Sequence, residues 1–122
     1  MKKIFILDDN EELLEIMQRL LSQDYLVQCS TDTENIIQQI TDFNPHLLLL
    51  DHSIGEVNSG DILGRLKLNT PFKAPVILFS AHPLLADVAT LLGADGYIDK
   101  PSDINHIRNY IKDVLRKKES TL

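Results

Sequence analysis

Cysteine and positive charge are both scarce in this sequence. There is a single cysteine, Cys29, in 122 residues, so an internal disulfide is excluded. Its place in an apolar stretch predicts a buried structural thiol. Lys and Arg number 12 against 18 Asp and Glu, which gives a net charge of −6. This acidity argues against general binding to nucleic acid or to anionic membranes, because both need basic patches.

Long apolar runs, internal repeats and low-complexity segments are also absent. No run approaches the roughly 20 apolar residues that span a bilayer. The N-terminal run ends at Leu7 and is followed by acids, so it is too short for the core of a signal peptide. We therefore expect a cytoplasmic protein. The length fits one domain over residues 1–122 with no output domain, and 43% hydrophobic content is enough for a buried core.

Short, continuous apolar runs alternate along the chain with longer segments of helical periodicity. Continuous runs of this length are typical of strands that are buried on both faces, as in a parallel sheet covered by helices. The three strongest runs are Ile4–Leu7, Leu47–Leu50 and Val76–Phe79, and two weaker ones are Leu26–Cys29 and Gly96–Ile98.

Apolar residues at spacings of three and four predict a helix after each run. Asp9 or Asn10 is a possible cap of the first helix, Pro45 follows the second, and Gly93 is suited to end the fourth. The apolar positions are Leu13, Leu14, Met17, Leu20 and Leu21; Ile36, Ile37 and Ile40; Ile62, Leu63 and Leu66; Leu84, Leu85, Val88, Ala89 and Leu92; and Ile104, Ile107, Ile111, Val114 and Leu115. The order is five βα units, which predicts an α/β fold with a parallel sheet and helices on both faces.

Polar residues end four of the five apolar runs, and they identify the candidate site. In open α/β sheets the site lies outside the carboxyl ends of the strands. The second run ends in nothing comparable, which makes it a candidate for an outer strand. The residues in question are Asp8 and Asp9 after the first run, Asp51 after the third, Ser80 after the fourth and Lys100 after the fifth.

Each of these residues has an ordinary explanation when taken alone, such as a helix cap for Asp9, a turn for Ser80 and a solvated charge for Lys100. Together they form a set in which three carboxylates would repel one another unless a cation offset their charge. Mg²⁺ suits this role, since it prefers oxygen ligands and binds a few carboxylates together with phosphate oxygens. With the ammonium and the hydroxyl, the set meets the needs of phosphoryl transfer.

The same order of residues resembles the receiver domains of response regulators in bacterial two-component systems, of the single-domain, chemotaxis-regulator-like kind. The resemblance covers nearly the whole chain. Four segments carry it: IFILDDNEELLEIM, PHLLLLDHS, APVILFSAH and GADGYIDKPSD. It implies a flavodoxin-like, doubly wound, five-stranded parallel sheet of order 2-1-3-4-5 with five helices, which would bring the named residues together.

The resemblance also implies roles for individual residues. Asp51 would be the phosphoacceptor, and Mg²⁺ would be held by Asp8, Asp9, Asp51 and the main-chain carbonyl of Ser53. Lys100, Ser80 and Ala81 would bind the phosphoryl group, and the bond from Lys100 to Pro101 would be cis. Ser80 and Tyr97 would form the switch. Ser53 and His82 occupy variable positions that would tune the lifetime of the phosphoryl group. His52 is expected to face away from the site.

The function implied is a signalling switch and not a turnover enzyme, although it would catalyse its own phosphorylation and dephosphorylation. The donor would be a sensor histidine kinase or a histidine phosphotransfer protein. Phosphorylation would reshape the surface of the fourth helix, fifth strand and fifth helix for an unknown downstream protein partner. No nucleic acid or membrane partner is expected, and the protein would be a monomer or a weak dimer.

Some features depart from the family pattern and leave an alternative open. Gly55 stands where the family usually has proline, and Gly60 lies one place later than the usual glycine of the third helix, so the loop after Asp51 would be irregular. The alternative is a receiver-like interaction module with weak or unused phosphorylation. A zinc site from the three acids and a histidine lacks the expected spacing, and an acidic rim disfavours a flavin phosphate.

Overall fold

The computed structural model describes residues 1–54, 57–68 and 72–120, without the side chain of Ser120. These ranges contain seven strands and five helices. In chain order they are β1 (Lys3–Leu7), α1 (Glu11–Leu21), β2 (Leu26–Ser30), α2 (Ile36–Phe43), β3 (Leu47–Leu50), β4 (Ser53–Ile54), β5 (Val57–Asn58), α3 (Ser59–Leu68), β6 (Val76–Ser80), α4 (Leu85–Leu92), β7 (Gly96–Asp99) and α5 (Ile104–Ser120).

Five of the strands form one parallel sheet in the order β2-β1-β3-β6-β7. Numbered as the five main strands, this is the order 2-1-3-4-5 of a flavodoxin-like doubly wound sheet, so the predicted fold class is confirmed. The predicted position of β2 as an outer strand is also correct, and β7 forms the other edge.

The sheet is buried because helices cover both of its faces. Helices α2, α3 and α4 pack on one face and α1 and α5 on the other. Representative core residues are Phe5, Leu48 and Leu78 on the first face and Ile4, Leu49 and Ile77 on the second, all with no exposed surface. Successive residues of a strand point to opposite faces, so a strand covered on both sides must be apolar at every position. This explains the continuous runs of β1, β3 and β6.

Local sequence signals account for the start of α1 and the end of α4, but not for the start of α2. The side chain of Asn10 accepts a hydrogen bond from the N–H of Leu13 and so caps α1. Gly93 ends α4 with a φ of 73° in the left-handed region, where glycine has no steric penalty. Helix α2 begins after Asn35, which has a φ of 55° and makes no side-chain cap.

The chain after β3 contains a small antiparallel hairpin that the sequence did not predict. Ser53 of β4 pairs with Asn58 of β5, and Ile54 pairs with Val57. Gly55, whose effect on this loop was an expectation from the sequence, lies outside the described residues. Gly60 lies in the first turn of α3, where the third helix was expected to begin. Within the described ranges, no helix is both long and apolar enough to cross a membrane.

Candidate functional site

The acidic residues meet because the strands that carry them are neighbours in register. Leu7 at the end of β1 pairs with Leu50 at the end of β3. The main-chain N–H of Asp51 donates to the carbonyl of Leu7 at 2.9 Å, and the N–H of Asp8 donates to the carbonyl of Ser30 at 3.1 Å. Sheet hydrogen bonding therefore continues one residue beyond the strands and fixes where both carboxylates leave the main chain.

One carboxylate oxygen each from Asp8, Asp9 and Asp51 lies within 4.8 Å of the other two. Asp8 is 1% exposed and Asp51 is 8% exposed, whereas Asp9 lies at the surface. Among the described residues, no other group of three or more His, Cys, Asp or Glu side chains approaches in this way, and no histidine belongs to this one. The group is therefore a partly enclosed acidic pocket with an open side.

Lys100 reaches the pocket from the edge of the sheet. Its main-chain N–H donates to the carbonyl of Ser80 at 2.9 Å, and its bond to Pro101 is cis, as the resemblance implied. The Nζ atom lies 2.6 Å from Oδ2 of Asp8 and 3.7 Å from Oδ2 of Asp51. The lysine thus neutralises part of the charge of the pocket and leaves it with an excess of negative charge.

Burial and the neighbouring charges shift the pKa of Asp51. Burial raises the pKa of this carboxyl above its ordinary value of 3.8, because the charged form is poorly solvated. The ammonium of Lys100 lowers the pKa, the carboxylate of Asp8 raises it, the N–H of Ser53 lowers it and Asp9 raises it. The net shift is upward, so the unneutralised charge of Asp51 destabilises the folded protein.

The loop after β6 lies on another side of the pocket. Ser80 is 8% exposed, and its Oγ accepts a long hydrogen bond of 3.4 Å from the N–H of His82. Ala81 between them is exposed. His82 is half-buried, and its Nδ1 accepts a hydrogen bond from the N–H of Leu84. The Ser80 hydroxyl proton is not used in these bonds and remains available for donation.

Tyr97 lies on β7, the edge strand next to Ser80. Its side chain is 38% exposed. The N–H of Tyr97 donates to the hydroxyl of Tyr110 on α5 at 3.1 Å, so a side chain satisfies an outward main-chain donor of the edge strand. The two predicted switch residues are therefore on adjacent strands, one buried and one at the surface.

Ser53 lies in the hairpin after Asp51, and two residues that sequence reasoning did not assign to the site, His52 and Ser59, flank this hairpin. The N–H of Ser53 lies 3.5 Å from Oδ1 of Asp51, and its side chain is exposed. The Nδ1 atom of His52 forms a 2.7 Å hydrogen bond with the hydroxyl of Ser59, a residue that is only 1% exposed. The sequence held one indication of a structural role for Ser59: it stands directly before Gly60 at the start of a predicted helix, and serine is common at helix N-termini.

The donors of the acidic pocket fit Mg²⁺. Carboxylate oxygens are its preferred protein ligands, and Mg²⁺ keeps several waters, for which the exposed side at Asp9 leaves room. Among the described residues every buried side-chain nitrogen or oxygen has a hydrogen-bond partner.

Comparison of the sequence with known proteins identifies a family. Residues 4–112 match the family described as response regulator receiver domain. The transcriptional regulatory protein CrdR of Helicobacter pylori is 34% identical over 117 residues, which are 91% of this chain and 54% of CrdR. The heme response regulator HssR of Staphylococcus saprophyticus is 27% identical over 122 residues and 53% of its length. The chain therefore spans about half the length of these curated relatives.

Solved structures agree on the fold. The receiver domain protein (CheY-like) from Methanospirillum hungatei superposes with a TM-score of 0.89 at 23% identity, covering 100% of this chain and 99% of that one. Together with the acidic pocket at the carboxyl ends of β1 and β3, the sequence match over residues 4–112 shows that the chain belongs to the response regulator receiver domain family of two-component signalling, which works through phospho-aspartate.

Proposed function

We propose that Asp51 accepts a phosphoryl group from a phosphohistidine, in a reaction that requires Mg²⁺, and that the modified domain then binds a downstream partner. One observation carries the proposal: Asp51 is a buried carboxylate with a raised pKa that lies between two further acids and Lys100. Incomplete charge neutralisation at a sheet's carboxyl edge is what a site for a cation and a phosphoryl group requires.

In the transfer step an oxygen of Asp51 attacks the phosphorus of the donor. The new P–O bond forms as the P–N bond breaks, and the electron pair stays on the ring nitrogen. The donor histidine leaves as a neutral imidazole if its other nitrogen carries a proton. When bound at Asp8, Asp9, Asp51 and the main-chain carbonyl of Ser53, Mg²⁺ supplies positive charge that lowers the repulsion between the carboxylate and the phosphoryl oxygens.

Residues of this chain would bind the phosphoryl oxygens whose charge Mg²⁺ does not neutralise. Lys100 already lies 3.7 Å from Asp51, so its ammonium can bind a phosphoryl oxygen without a large movement. The hydroxyl of Ser80 and the main-chain N–H of Ala81 can donate to a second oxygen. Ser53 follows Asp51 by two positions and His82 follows Ser80 by two, and these residues would tune how readily water reaches the phosphoryl group.

The proposed switch depends on the same hydroxyl. Phosphorylation adds roughly 1.5 to 2 negative charges and strong acceptor oxygens. Ser80 then moves toward the phosphoryl group, and the exposed ring of Tyr97 turns into the space that it leaves. Changing a population from 1:99 to 99:1 takes about 5.5 kcal/mol, to which the new charge-assisted hydrogen bonds contribute. The surface of α4, β7 and α5 changes as a result.

The identities of donor, partner and output belong to the proposal. Receiver domains interact with histidine kinases, and we propose a sensor kinase or a histidine phosphotransfer protein as the donor and a separate protein as the target. A cytoplasmic location is part of the proposal, and the acidic charge supports the absence of nucleic-acid binding. That residues 1–122 act as one receiver domain without an output domain, as a monomer or weak dimer, stays a prediction, and the mass of the protein isolated from its own cells tests it.

The experiment is incubation with acetyl phosphate, with and without Mg²⁺, followed by intact-mass measurement. We expect the mass of one phosphoryl group to be added only when Mg²⁺ is present. Asp51→Asn should gain no mass, and Asp113→Asn, which changes an exposed acid on α5, should behave as the unmodified sequence does. Beryllofluoride should alter the environment of Tyr97 under the same conditions.

An unmodified protein in the presence of Mg²⁺, with a folded structure verified by circular dichroism, would overturn the proposal. It would favour instead a receiver-like interaction module with unused phosphorylation. Addition of a phosphoryl group to Asp51→Asn would place the acceptor elsewhere and would equally contradict the assignment.

A further inference from the structure

His52 and Ser59 are joined by two hydrogen bonds, one through the main chain and one through the side chains. The N–H of Ser59 donates to the carbonyl of His52 at 2.7 Å, and the hydroxyl of Ser59 lies 2.7 Å from Nδ1 of His52. We call this pair the 52–59 clamp. Because both bonds link the same two residues, neither the main chain nor the imidazole can turn without breaking one of them.

The 52–59 clamp closes the hairpin at the end next to Asp51. The ladder inside it consists of Ser53 with Asn58 and Ile54 with Val57. Ile54 is 5% exposed and belongs to the core under α2, α3 and α4. The hairpin is therefore held at two places, by an apolar side chain in the core and by the clamp beside the acidic pocket.

The clamp connects the residues after Asp51 to a fixed part of the fold. Ser59 is 1% exposed and opens α3, whose Ile62 is completely buried against the sheet. On the other side, only His52 separates Asp51 from Ser53. The His52 carbonyl, which Ser59 holds, and the Ser53 N–H belong to one planar peptide group, so the clamp sets the direction of this N–H, which lies 3.5 Å from Oδ1 of Asp51.

The imidazole of His52 also contacts the second loop at the pocket. Its ring meets the ring of His82 edge to face, with 5.2 Å between centroids and an interplanar angle of 89°. The main-chain N–H of His82 in turn donates to Oγ of Ser80. The side chain of His52 therefore contacts both Ser59 at the start of α3 and the loop after Ser80, so it links the two segments that follow Asp51 and Ser80.

We propose that His52, held by Ser59, is a positioning residue that orients the main chain after Asp51 for binding of Mg²⁺ and of the phosphoryl group. The metal and phosphoryl roles rest on the proposed function. The clamp fixes the hairpin in a chain that has glycine, and not proline, at position 55.

The variants that test this are His52→Ala, Ser59→Ala, the double variant and the conservative His52→Asn, whose amide occupies nearly the place of Nδ1. His46→Ala is the matched control. The Nδ1 atom of His46 also accepts a main-chain hydrogen bond, from Lys3 at 2.9 Å. This histidine directly precedes β3, so it lies at the amino ends of the strands, away from the acidic pocket at their carboxyl ends.

Two readouts are independent of phosphorylation. The first is Mg²⁺ affinity, measured by NMR titration, which we expect to fall about tenfold in His52→Ala and in Ser59→Ala. The second is hydrogen exchange of the main-chain amide at position 59 in the metal-free protein, which should become faster in both variants once the intrinsic rate of the residue at that position is taken into account. His52→Asn should recover most of the Mg²⁺ affinity, and His46→Ala should leave it unchanged. Because each single variant removes the same bond, the double variant should bind Mg²⁺ no more weakly than either single variant.

Unchanged Mg²⁺ affinity in both single variants would overturn the positioning role, and so would additive losses in the double variant. A loss in His52→Asn as large as in His52→Ala would do the same. If His52→Ala does not fold, Ser59→Ala decides, since it removes only a hydroxyl. These results are distinct from a failure of the proposed function, in which the unmodified sequence binds Mg²⁺ but accepts no phosphoryl group.

Discussion

The ammonium of Lys100 lies 2.6 Å from Oδ2 of Asp8, a carboxylate that is 1% exposed and 92 positions away in the sequence. The same ammonium lies 3.7 Å from Asp51. Lys100 is thus shared between two acids and is closer to the one that is not the proposed phosphoacceptor. Its contact with Asp8 stabilises a buried charge, and its distance from Asp51 is short enough for the proposed contact with a phosphoryl group.

Lys100→Met should therefore destabilise the metal-free protein. Removing one partner of a buried ion pair leaves the other charge without compensation, and we expect a loss of about 3 kcal/mol in the free energy of unfolding. Mg²⁺ should restore part of it, because the cation replaces the missing positive charge. Urea unfolding with and without Mg²⁺ measures both effects. Lys112→Met, at an exposed position of α5, is the control, and an equal loss there would contradict the explanation.

Asp51→Asn should raise the midpoint of thermal unfolding by several degrees at neutral pH. The pKa of Asp51 is raised in the folded protein, chiefly by burial, so folding favours the protonated form. Stability contributed by this group is present at low pH and is lost as the pH rises from 3.8 through the folded-state pKa. The advantage of the Asn variant should shrink as the pH falls through that interval, and an advantage that is constant with pH would refute this account.

Gly96→Ala should destabilise the edge of the sheet by about 1 kcal/mol. A Cβ atom at Gly96 would collide with the hydroxyl of Tyr110, which accepts the N–H of Tyr97. The tyrosine would have to move, and the main-chain donor would lose its partner. Gly64→Ala in α3 is the matched control: nothing lies within 4 Å of its added Cβ, and helix propensity should stabilise it by about 1 kcal/mol. Urea unfolding should give opposite signs for the two variants.

Cys29 should react slowly with iodoacetamide in the folded protein. Burial raises the pKa of its thiol from 9.0 to about 11, so the thiolate at neutral pH is about 100-fold less abundant than for a free cysteine. The rate of alkylation, compared before and after addition of denaturant, measures this difference. Equal rates in the two states would show that the thiol is not protected.

The central strands and their polar ends were predictable because burial on both faces leaves a strong signal. Leu47–Leu50 is apolar at every position and is followed directly by Asp51. The edge strands gave weaker signals, since a strand covered less completely tolerates residues such as Gln28 and Tyr97. Parallel pairing then brings the strand ends together, so the acidic pocket followed from the fold without any knowledge of side-chain positions.

The hairpin after Asp51 and the 52–59 clamp were not predictable from the sequence. Strands of two residues are too short to show a periodicity. His52 was expected to face away from the site, into the helix-covered side or a loop, and its ring contacts Ser59 at the start of α3 and His82 in the loop after β6, but the sequence did not identify these two partners. The buried hydroxyl of Ser59 could bond to any of several polar groups, and the three-dimensional path of the chain decides which one lies close enough.

The pairing of Leu7 with Leu50 has a mechanical consequence for signalling. The main-chain positions of Asp8 and Asp51 are fixed by this pairing, and sliding β1 along β3 would displace completely buried leucine and isoleucine side chains on both faces of the sheet. The distance between these two main-chain positions therefore resists thermal motion as the interior of the protein does. Information must leave the pocket through side-chain rotations and loop shifts at its border, while the strands act as a rigid frame.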